Sequence, residues 1–187
     1  MDMEIQLKKF SLPFALSCAI GITLLTGCAA SVKTGGGAPL AIQESAKQNL
    51  VVSFTGNEKV LQNEDWPLLK GDWSSALQTE AVQAGYHLKE AQNLSTANAS
   101  GVGITVNVSN FRYLTPGARY GAGVMVGNAW VNSTADFSDL NTGKVIGSRT
   151  YDTSSSAWEG VMSAMTQKQV QAIAKQIIAD IKSANAK

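Results

Sequence analysis

From Val170 to Ile181 the apolar residues Val170, Ile173, Ala174, Ile177, Ile178 and Ile181 recur at helical spacing. That spacing lines them along one side of a helix. Lys168, Gln171, Lys175 and Lys182 fall on the other side. A helix that is dry on one side only has to dock on a second layer, and each large aliphatic on the stripe contributes roughly 1.5–3 kcal/mol when fully buried. Thr166 followed by Gln169 has the form of a capping box, in which two side chains satisfy each other's orphan amides. The helix is therefore expected to start there.

The partner layer is also legible. Ile104, Val106 and Val108 alternate with Thr105, Asn107 and Ser109, the pattern of a strand with one dry face. Met125, Gly127, Ala129, Val131, Ala135 and Phe137 continue an alternating face opposite Asn128, Asn132, Thr134 and Asp136. Asp139-Leu140-Asn141-Thr142-Gly143 is turn chemistry, so Val145 to Thr153 returns as the second arm of a hairpin. Earlier in the chain, Leu50 to Phe54 is a β-rich run. Trp66-Pro67 opens a helix from about Leu68 to Ala84, with Trp73, Leu77, Ala81 and Ala84 on one stripe. Gly85 sits where a capping glycine belongs, and Tyr86 to Leu88 starts a short strand. The order β-α-β-β-β-β-α predicts a two-layer α+β domain. Its sheet is mostly antiparallel, of about five to six strands, with two helices on one face.

The 187 residues suffice for one such domain, and 44% of them are hydrophobic against 16% charged. A net charge of +1 argues against a nucleic-acid partner, which normally calls for a large basic excess. Two cysteines and one histidine are too few for a thiolate and imidazole zinc site. No metal or other cofactor is expected.

The N-terminus has a different character. Lys8 and Lys9 precede a 16-residue apolar run from Phe10 to Leu25, interrupted by Pro13. The run is short for a membrane span, which takes roughly 20 residues, and has the layout of a secretory signal. Leu25-Thr26-Gly27-Cys28 then resembles the lipobox of bacterial lipoproteins. The resemblance implies cleavage before Cys28 and a diacylglycerol on its thiol. It divides the chain into a signal peptide over 1–27, a lipidated cysteine and flexible tether over 28–39, and one periplasmic domain over 40–187. Ala30 to Pro39 is small and glycine-rich, and ten such residues span roughly 17 Å when flexible. Ala29, rather than Asp, follows the cysteine. In a Gram-negative source, resemblance to other lipoproteins then implies passage to the outer membrane rather than retention at the inner one, and the expected location is a lipid anchor there with the domain in the periplasm.

Beyond the lipobox, the chain resembles an uncharacterised family of small bacterial lipoproteins, a domain of unknown function. The matching features are Ala84-Gly85-Tyr86, the run Gly117-Ala118-Arg119-Tyr120-Gly121-Ala122-Gly123, Asp139 to Lys144, and the helix after Ala164-Met165-Thr166. The layout is also similar in architecture to the periplasmic domain of the curli secretion channel lipoprotein. Neither resemblance supplies catalytic residues.

Candidate sites are few. Gly117, Gly121, Gly123 and Gly127 precede Val124-Met125-Val126 or lie around it. A dinucleotide fingerprint would instead need a helix to follow, so a bend between strands is the simpler reading. Phe111-Arg112-Tyr113 and Arg119-Tyr120 interleave aromatic and basic residues, which could hold an anionic glycan, a headgroup or a carboxylate; ordinary strand-end chemistry is the commoner explanation. Trp158 lies in a polar loop and is either a contact residue or a lid over the sheet edge. Asp136, Asp139 and Asn141 lack the spacing of a calcium loop. The lone His87 has no nucleophile set beside it, and no Gly-x-Ser-x-Gly elbow occurs. The binding surface, if one exists, is expected at Arg112, Tyr113, Arg119, Tyr120 and Trp158. The expected function is that of a non-enzymatic envelope lipoprotein. It would bind or scaffold an envelope protein or glycan, and touch the membrane through the lipid on Cys28. An oligomeric secretion or pore accessory is the alternative, and a glycan-acting enzyme a more distant one.

Overall fold

The computed structural model describes residues 30–96, 100–114, 128–154 and 165–186. Six strands form one sheet: β1 (Val32–Gly36), β2 (Asn49–Gly56), β3 (His87–Glu90), β4 (Val102–Arg112), β5 (Trp130–Asp139) and β6 (Val145–Ser154). Two long helices accompany them, α3 (Trp66–Gln83) and α4 (Met165–Lys182), with two single-turn helices, α1 (Glu44–Lys47) and α2 (Glu58–Leu61). The expected α+β order runs from β2 to α4. The sheet order is β1-β6-β5-β4-β2-β3. Three of the pairings are antiparallel, whereas β2 runs parallel to both β3 and β4. The parallel pair β2–β3 follows from α3, since a crossover helix returns the chain to the end where β2 began.

One sheet face carries the core. Val52, Ile104, Val106, Val131, Ala135, Phe137 and Tyr151 on the strands are all buried against Leu69, Trp73 and Leu77 of α3 and Ile173, Ile177 and Ile181 of α4. The aliphatic stripe of α4 is buried throughout, as its periodicity required. The end of α3 is also as expected. Tyr86 N–H donates to Ala81 C=O at 2.8 Å and Gly85 N–H to Val82 C=O at 3.0 Å, with Gly85 at φ +81°. That is a Schellman cap, which needs a residue free to turn left-handed. The 139–143 turn is held by Asp139, whose Oδ1 accepts from Asn141 and Thr142 N–H at 2.8 and 3.0 Å, while Gly143 takes φ +68°. The carboxylate considered for calcium is thus engaged by its own turn.

Two expectations change. The segment read as a flexible tether is, over Val32–Gly36, an edge strand paired antiparallel with β6. Its glycines serve close approach rather than flexibility. A Cβ on Gly35 would lie 2.6 Å from Thr150 Oγ1, and one on Gly36 would lie 2.8 Å from Ser148 C=O. Arg149 donates to Ala38 C=O and holds the strand's exit. The described sheet therefore already includes residues 32–36.

The second change concerns Thr166 and Gln169, which do not form a capping box. Thr166 Oγ1 accepts from Leu114 N–H at 2.9 Å, and Gln169 Nε2 donates to Ala129 C=O at 2.9 Å. Both side chains are buried. A buried backbone group without a partner costs more than a cap gains, so the strand ends claim these side chains.

Candidate functional site

The ends of β4 and β6 and the starts of β1, β5, α3 and α4 all fall at one end of the domain. The register shows this for the strands: Arg112 pairs with Trp130, Trp130 with Ser154, and Val32 with Thr153. Leu114, Ala129 and Met165 form a small apolar cluster there, separate from the main core. The two polar anchors from Thr166 and Gln169 flank it. Together they fix the chain on both sides of residues 115–127.

Strand alternation sends consecutive residues of β4 to opposite faces. Phe111 lies on the helix face, with its ring 6.4 Å from that of Trp66. Arg112 lies on the open face, its guanidinium carbon 5.6 Å from the Trp130 ring centroid, within cation–π range. Beyond the strand, Tyr113 turns back to the helices. Its hydroxyl donates to Asp72 Oδ2 of α3 at 2.6 Å, and Gln167 of α4 donates to Asp72 Oδ1 at 3.2 Å. Burial first, and then the Asp72 carboxylate, push the Tyr113 hydroxyl well above its ordinary range. Arg112 and Tyr113 therefore do not make one patch. Tyr113 ties α3 and α4 to the strand end, and Arg112 faces outward on an indole.

Arg119, Tyr120, Trp158 and Cys28 lie outside the described residues, as does the glycine-rich run 117–127. The partners that organise this end, Asp72, Trp130, Thr166 and Gln169, come from elements up to 95 residues from the groups they meet. Only register and packing bring them together, and the one local motif among them, the capping-box spacing of Thr166 and Gln169, points to different partners.

Among the described residues, two of the polar-lined surface hollows lie near the sheet faces and α3. One, of about 290 Å³, lies on the open sheet face at this same end, between Lys33 and Ser31 of the β1 arm and Asn132, Asp152 and Ser154. Asn132 donates to Asp152 there at 3.0 Å. The other is a groove of about 610 Å³ along α3 and β3, crossed by the Lys70–Glu90 ion pair at 2.8 Å. Burial would raise the Glu90 carboxyl, but the bonds from Lys70 and Ser74 and the Lys70 charge outweigh it and hold it low. Among the described residues no group of three or more His, Cys, Asp or Glu is placed to hold a metal. No described helix is long and apolar enough to cross a membrane.

No protein-family model matches the chain, and no curated protein matches it. Solved structures do. A PelC dodecamer from Paraburkholderia phytofirmans aligns with 84% of this chain and 99% of its own at TM-score 0.50 and 19% identity. Protein XCC0632 of Xanthomonas campestris, from family DUF330, aligns with 80% of this chain and 90% of its own at TM-score 0.47 and 12% identity. A putative neuraminyllactose-binding hemagglutinin homologue from Helicobacter pylori aligns with 76% and 89% at TM-score 0.41 and 8% identity. At these identities the PelC likeness is one of fold.

Proposed function

We propose that this protein is a lipid-anchored envelope lipoprotein with no enzymatic activity, acting as a binding or scaffolding module on the periplasmic face of the outer membrane. The observation that carries this reading is the way one end of the domain is built. Buried polar anchors there fix strand ends and a cation–indole pair, and the Asp72 carboxylate is taken up by Tyr113 and Gln167. Such an arrangement presents a shaped surface rather than a poised acid, base or nucleophile. The Leu25–Cys28 box supplies the anchor, and a single acyl chain gives only marginal membrane binding whereas several give a stable one. Labelling cells with radioactive palmitate tests the anchor. The wild-type chain is expected to incorporate label and Cys28→Ala to lose it; equal labelling would overturn the reading.

An assembling accessory is the second reading. It is favoured by the fold likeness to a structure described as a PelC dodecamer. The mass of the lipidated protein in mild detergent decides between the two: a ring-sized oligomer supports assembly, and a strict monomer leaves the monomeric binding module.

A further inference from the structure

We propose that β1 is a rigid spacer that seats the domain on the bilayer by the sheet end bearing Arg112 and Trp130. The surface it fits is the headgroup layer of the membrane that carries the protein's own lipid. This rests on the lipidation of Cys28 proposed above.

The argument is one of chain path. Val32 is the first residue of β1 and pairs with Thr153, next to the last residue of β6. Four residue steps separate it from Cys28. A fully extended chain covers at most about 3.6 Å per residue, so the acylated cysteine lies within roughly 14 Å of Val32. A flexible tether as far as Pro39 would let the domain tumble. With Val32–Gly36 in the sheet, that freedom is gone. The 11 residues of β4 make the sheet roughly 35 Å long. The turn at 139–143 and the β6 start at Val145 lie at the far end, so a domain standing on its anchored end carries them away from the membrane.

The chemistry of the anchored end suits a headgroup layer. Trp130 is half-buried with its indole Nε1 buried, and the exposed Arg112 guanidinium lies over its ring; an Arg settles at such interfaces with its apolar stem inward and its charged head at the headgroups. Lys33 adds a cation on the same sheet face, and Leu61 and Leu68 stand about half exposed at the α2 and α3 turns on this end. Exposed apolar residues alone would not choose an end, since Val82 and Val145 are exposed at the other. The chain path chooses it.

Single-cysteine labels provide the test, because the mature chain would have no other free thiol. A fluorophore is placed at Asn110→Cys, near the anchored end, or at Asn141→Cys, in the far turn. The full lipidated protein is reconstituted in phosphatidylethanolamine/phosphatidylglycerol vesicles containing a nitroxide-headgroup lipid. Severalfold stronger quenching at position 110 than at 141 is expected. A long Gly/Ser insertion between Ala30 and Ser31 is expected to abolish the difference. Equal quenching at both positions in protein whose mass shows the lipid would overturn the seating. So would a difference that survives the insertion, since β1 would then not set the distance. A mass without lipid would instead overturn the anchoring on which the proposal stands.

Discussion

Lys47 is 2% exposed, although lysine is almost never buried without a partner. Its Nζ donates to Glu44 Oε1 at 2.6 Å and to the carbonyls of Ala184 and Lys182 at 2.9 and 3.4 Å. It thereby meets the negative end of α4, where an ammonium is favoured. Tyr151 is the corresponding device on the sheet. Fully buried on β6, it donates to Asp180 Oδ2 at 2.6 Å, which joins the sheet to α4. Tyr151→Phe is expected to cost about 1.5–3 kcal/mol, the worth of a hydrogen bond to a charged group, read as a lower denaturation midpoint. Burial, and then Asp180, push its hydroxyl above the ordinary tyrosine value. A raised folded value stabilises fully below the unfolded value of about 10 and is lost as pH rises beyond it. The wild type should therefore lose stability above about pH 10, and Tyr151→Phe should lose less over the same range; equal slopes in alkaline denaturation would refute this.

At the scale of elements, α3 and α4 were legible because their stripes are periodic and buried, save Ala84, which is the half-buried cap residue after α3, and the Schellman glycine follows from local backbone chemistry alone. Thr166 and Gln169 were misread for a specific reason. Their spacing satisfies a local motif, but their partners Leu114 and Ala129 lie 52 and 40 residues away in the chain. Thr166→Val keeps the shape of the side chain and removes the acceptor. It should leave Leu114 N–H unpaired, at a cost of about 1–3 kcal/mol, with faster amide exchange at Leu114 while the helix content is retained. Unchanged exchange there would show that the anchor is dispensable. Arg112 and Tyr113 are neighbours in the sequence, but their separation in space was not legible there. Adjacent residues read as one patch on paper and separate once the strand ends and Tyr113 turns toward Asp72.

At the scale of the molecule, β1 covers the 10-residue β6 with a 5-residue edge strand, and a short edge strand is one way a sheet blunts its edge. An uncovered edge strand is a template for another chain. A chain shortened to begin at Leu40 should still fold, since Val32 is the one β1 residue packed against the core. It should also expose the β6 edge and associate as concentration rises. Light scattering checks this against a chain beginning at Ala30, which is expected to stay at constant mass; equal behaviour would mean that β1 guards nothing.

The sequence by itself determined the α+β class, the two long helices, the central strands and the turn at 139–143. Each of these depends on a period or a local backbone preference carried by neighbouring residues. The tertiary structure alone decided the role of residues 32–36. Their composition is that of a linker, and only the open edge of β6, more than 100 residues later in the chain, makes a strand of them. Glycine has no side chain to announce a fold, and what it permits depends on the surface that comes to meet it.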